Sequence, residues 1–72
     1  MEIIQAVYEG NDVTTYKKKL RNRDIFGMIE PTLDGEKWSV VMYDDYGWYV
    51  EFNAKTEDTA KKLVVRFINK QV

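Results

Sequence analysis

Between residues 38 and 52 apolar and polar positions alternate with the period of a β-strand: Trp38, Val40 and Met42, then Trp48, Val50 and Phe52. The two runs are separated by Tyr43, Asp44, Asp45, Tyr46 and Gly47. A three-residue loop with Gly47 in the left-handed position turns this stretch into a hairpin, with Met42 facing Val50 and Val40 facing Phe52. In that register both tryptophans and their aliphatic neighbours share one face. A slip of one residue would mix them with Ser39, Tyr49 and Glu51. The opposite face then carries Phe26, Met28, Val41, Tyr43 and Tyr49, which is apolar for a surface in water.

Other elements follow from similar reasoning. At the C-terminal end Ala60, Leu63, Val64, Phe67 and Gln71 form one stripe at helical spacing, flanked by Val65 and Ile68. Thr56 can cap this helix, and Glu57 and Asp58 put negative charge at its positive end. The pattern predicts a helix over about residues 57–70. Asp34-Gly35 signals a two-residue turn joining a strand that begins near Asp24 to the Trp38 strand. Pro31 cannot donate to a ladder, so the first of these strands lies at an edge or ends near Pro31. Ile3 to Tyr8 reads as a strand. Residues 12–22 read equally well as a short helix, through Val13, Tyr16 and Leu20, or as an extra strand, through Val13, Thr14, Thr15 and Tyr16.

The fold class is α+β: an antiparallel sheet, made of an N-terminal strand and a three-stranded meander, packed by a C-terminal helix. One helix covers one face of a sheet. The N-terminal third is the candidate cover for the other.

The 72 residues are read as one domain with no internal repeat. Composition narrows the chemistry. The chain has no cysteine and no histidine, so disulfides, thiolate chemistry and imidazole catalysis are absent. No apolar run approaches a membrane span and no leader pattern opens the sequence, which makes a cytoplasmic protein the default expectation. The net charge of −1 conceals a segregation. Lys17, Lys18, Lys19, Arg21 and Arg23 form a basic cluster without an acid, whereas the stretch from Asp24 to Asp58 is strongly acidic.

Three constellations are candidates for function. The basic cluster could neutralise phosphates of a nucleic acid. The tyrosines of the hairpin could stack bases, but the acids among them suit a protein partner better. Paired carboxylates at 34/36, 44/45 and 57/58 fall in turns and at a helix start, where solvation is expected. Ser39 is the single serine, no glycine-rich phosphate loop exists, and no ligand spacing suits calcium. These counts point away from an enzyme and imply neither metal nor cofactor.

The last half of the chain resembles the three-strand-plus-helix DNA-binding units of integrase arms. Gly35, Trp38, Phe52, Thr56 and Ala60 occur in matching order. Such units read DNA with arginines on the sheet, where this sequence presents Glu30, Asp44, Asp45 and Glu51. DNA reading is therefore not carried over. The expectation is a small non-enzymatic regulator or inhibitor, of the size that phages and mobile elements encode. Its partner protein would sit on Met28, Tyr43, Asp44, Asp45, Tyr46 and Tyr49, and homodimerisation through the same face is a close variant. Nucleic-acid binding through Lys17, Lys18, Lys19, Arg21 and Arg23 is the alternative.

Overall fold

Val40 pairs with Phe52 and Met42 with Val50, in the register that the alternation predicts. Gly47 closes that hairpin with φ +97°, a conformation costly for any residue with a β-carbon. The computed structural model describes residues 1–8 and 10–71. Among these residues, five strands form one antiparallel sheet: β1 (Glu2–Tyr8), β2 (Asn11–Lys19), β3 (Asp24–Pro31), β4 (Trp38–Asp44) and β5 (Tyr49–Ala54). They lie side by side in chain order, so every connection is a hairpin. Helix α1 (Glu57–Lys70) follows and packs on one face.

Residues 12–22 resolve toward the strand. Thr14, Thr15 and Tyr16 are β-branched or aromatic, and β2 can pair on both sides, with β1 and with β3. A helix there would have left Ile3 and Ile4 without a neighbouring strand. The expected cover for the second face therefore does not form. The N-terminal third widens the sheet instead of folding across it.

Helix α1 starts as its sequence implies. The Thr56 hydroxyl accepts from the Thr59 N–H at 3.1 Å, and Lys61 pairs with Glu57 one turn along, at 2.8 Å. The buried line of the helix is Ala60, Val64 and Ile68, with Leu63 and Phe67 beside it. Ile68 is thus central to the contact, where the residue pattern alone puts it on the flank. The line rests on Ile25, Ile29, Val40 and Met42. Gly27 lies beneath it. A β-carbon there would meet Val64 Cγ1 at 2.5 Å, so the helix approaches the sheet as closely as it does because position 27 has no side chain.

The β3–β4 connection is longer than the expected two-residue turn. Gly35 donates to the Thr32 carbonyl at 2.9 Å, and Thr32 donates to Lys37 at 3.0 Å, leaving residues 33–36 as the loop. The Asp34 carboxylate accounts for this. It accepts from the Thr32 hydroxyl and from the Glu36 N–H, replacing the ladder bond that a tighter turn would have made. Pro31 ends β3.

Candidate functional site

The alternation that buries one side of β3, β4 and β5 lays out the other. Cross-strand pairing places Lys17, Phe26, Tyr43 and Tyr49 in one row across four strands. The next row holds Thr15, Met28, Val41 and Glu51. The Phe26 and Tyr43 rings stack with centroids 5.0 Å apart and planes 12° apart. Lys17 Nζ sits 5.7 Å from the Phe26 ring centre and 4.0 Å from an Asp24 carboxylate oxygen. The Tyr49 hydroxyl donates to Glu51 at 2.6 Å. That bond, with a smaller contribution from burial, raises the Tyr49 pKa above its ordinary 10.0.

No element of the described chain lies over these rows. Helix α1 contacts β2, β3, β4 and β5 from the opposite side. Phe26, Met28, Val41 and Tyr43 are half-buried, shielded by their cross-strand neighbours alone, and Tyr49 is 58% exposed. The total accessible surface of 5159 Å² exceeds the roughly 4,700 Å² usual for a monomer of this mass, as an uncovered sheet face requires.

Of the residues expected to contact a partner, Met28, Tyr43 and Tyr49 come together on this face. Asp45 and Tyr46 sit on the adjoining loop, Tyr46 77% exposed and Asp45 accepting from the Asp24 N–H at 3.1 Å. Asp44 is elsewhere. The alternation that turns Tyr43 outward turns Asp44 inward, where its side chain is 2% exposed. It accepts from the Tyr46 and Trp48 N–H groups at 2.9 and 2.8 Å and from the Arg23 guanidinium at 2.8 Å. Burial pushes the Asp44 carboxyl up, but the Trp48 and Tyr46 donors and the Arg23 charge together outweigh it and hold the pKa below the ordinary 3.8. Asp44 is the internal brace of the β4–β5 hairpin.

The basic cluster is dispersed for the same reason. Leu20 and Arg23 close the β2–β3 hairpin through the Leu20 N–H, at 2.8 Å, with Arg21 and Asn22 at its tip. Lys17 and Lys19 then fall on the open face, and Lys18 and Arg23 on the helix side. Arg23 is enclosed by structural partners: Asp44, the Gln71 side chain at 2.9 Å, and the Trp48 ring at 5.9 Å. Two residues assigned to rival sites, Arg23 and Asp44, thus bond to each other.

Phe26 and Val41 lie on the open face with the tyrosines, as the alternation predicts, whereas Thr15 and Lys17, which complete the rows, were not placed there on sequence grounds. The signal lay in Leu20 and Arg23. A two-residue turn at Arg21-Asn22 fixes which residues of β2 share the parity of Phe26 and Met28.

Among the described residues no group of His, Cys, Asp and Glu is placed to hold a metal ion, and no helix is long and apolar enough to cross a membrane. Comparison with family models, curated proteins and solved structures finds no match.

Proposed function

We propose that the chain is a small non-enzymatic binding module, a regulator or inhibitor, that takes a partner protein on the open sheet face. The observation that carries the reading is the Phe26–Tyr43–Tyr49 row, an aromatic strip lying across strands that no element among the described residues covers. Aromatic side chains offer large contact area at small conformational cost and dominate interface hot spots. The strip is rimmed by both signs of charge: Lys17 and Lys19 on one side, Glu51 on the other, with Asp24 and Asp45 at the end. A mixed rim around an apolar centre is the anatomy of a protein interface.

Nucleic acid is the weaker reading. Its appeal rested on five cations acting together, and the β2–β3 hairpin spreads them over two faces and a turn. On the open face the remaining lysines stand among carboxylates that would repel a phosphate chain.

A photo-crosslinker placed at Tyr46, at the edge of the strip, tests the reading in cell extract. The expected result is a discrete protein adduct that Tyr49→Ala abolishes while circular dichroism stays unchanged. Oligonucleotide binding that falls steeply with salt, and disappears on neutralising Lys17, Lys19 and Arg21, would replace it with the nucleic-acid reading.

A further inference from the structure

The sheet has two edges, and they are built differently. At one edge β5 carries Glu51 in mid-strand, the kind of charge with which edge strands discourage pairing. At the other edge β1 reads EIIQAVY. It has no lysine, arginine or proline, and its one charge, Glu2, is its first residue. Ile3 and Ile4 are 57% and 47% exposed. Helix α1 does not reach β1. Among the described residues, alternate backbone N–H and C=O groups along the outer side of β1 have no strand to bond, and neither proline, mid-strand charge nor helix guards them.

We propose that β1 pairs antiparallel with β1 of a second copy of this chain. The strand itself argues for this occupant. A two-fold axis at Gln5 uses all seven residues and puts Ile3 opposite Val7, Ile4 opposite Ala6 and Gln5 opposite its own copy. Like hydrophobicity meets like along the ladder, and the two Glu2 carboxylates stay at opposite ends, so no like charges oppose. Such an axis runs perpendicular to the sheet. The five strands of each copy then join in one ten-stranded sheet with both helices on one side and both aromatic strips on the other. The dimer presents two partner sites side by side, and a bivalent partner would gain by effective concentration. The pairing itself uses the edge backbone and does not depend on what the aromatic strips bind.

The chain's lack of cysteine makes the test clean. Opposed residues in an antiparallel ladder lie within disulfide reach, so Gln5→Cys should give a covalent dimer under mild oxidation, whereas Asn53→Cys on the β5 edge should not. Light scattering should give twice the single-chain mass for the unmodified protein and the single-chain mass for Ile3→Lys, whose exposed site lets the fold survive, as circular dichroism would show. A chain that is monomeric throughout the micromolar range overturns the proposal. So does a dimer that persists in Ile3→Lys, or an Asn53→Cys chain that crosslinks as readily as Gln5→Cys.

Discussion

One sheet carries two apolar faces, and their fates differ although their residues alternate along the same strands. On the helix side Ile25, Ile29, Val40 and Met42 are at most 1% exposed. One residue away, Phe26, Met28, Val41 and Tyr43 are half-buried, with their neighbours in the sheet but no second layer over them among the described residues. Alternation produces both faces; a single helix closes one. Stability should therefore reside in the first face and recognition in the second, and substitutions on the two should separate cleanly.

The largest effect belongs to the covered face. Ile68→Ala removes a wholly buried side chain from the middle of the helix contact and should cost about 2–5 kcal/mol, read from urea unfolding. A loss no larger than that of a surface change would erase the contrast between the faces. Next is Gly27→Ala, which pushes a methyl group into Val64 and should cost about 1–3 kcal/mol by overpacking. Val64→Ala in the same chain should recover part of that loss, which identifies the close approach as the cause.

Acid sharpens the contrast by probing the brace behind the exposed hairpin. Because the folded Asp44 pKa lies below 3.8, its contribution is complete above that value and disappears as pH falls through the folded pKa. The urea midpoint should drop more steeply with acid in the parent than in Asp44→Asn, which starts less stable. Parallel acid curves would mean that Asp44 is no brace. The smallest effect lies on the open face. Glu51→Gln removes the carboxylate that accepts the Tyr49 hydroxyl, so that phenol should titrate nearer 10.0 by ultraviolet absorbance with little change in stability.

Much of the architecture was readable from local rules. The β4–β5 register follows from Gly47 and six apolar positions of one parity, and α1 from its cap and stripe. What stayed undecided was residues 12–22, because Val13, Tyr16 and Leu20 fit a helix while Thr14 and Thr15 fit a strand. Only the tertiary option of pairing on both sides separates these, and local preference does not contain it. That one ambiguity propagated into the site. With β2 unassigned, Lys17 could not be placed beside Phe26, and the five cations read as one patch when they are spread over two faces and the β2–β3 turn. Asp44 was misjudged for another reason: an acid beside a turn looks solvated, although here the turn's own N–H groups and Arg23 enclose it.

The central claim is that the aromatic strip belongs to the surface and not to the core. Urea unfolding of the Tyr43→Ala, Tyr49→Ala double variant tests it most directly. A cooperative transition should remain, with a stability loss well below that of Ile68→Ala. A double variant that is unfolded in water, or that loses as much as Ile68→Ala, would show the tyrosines to be core residues and leave the proposed contact surface without foundation.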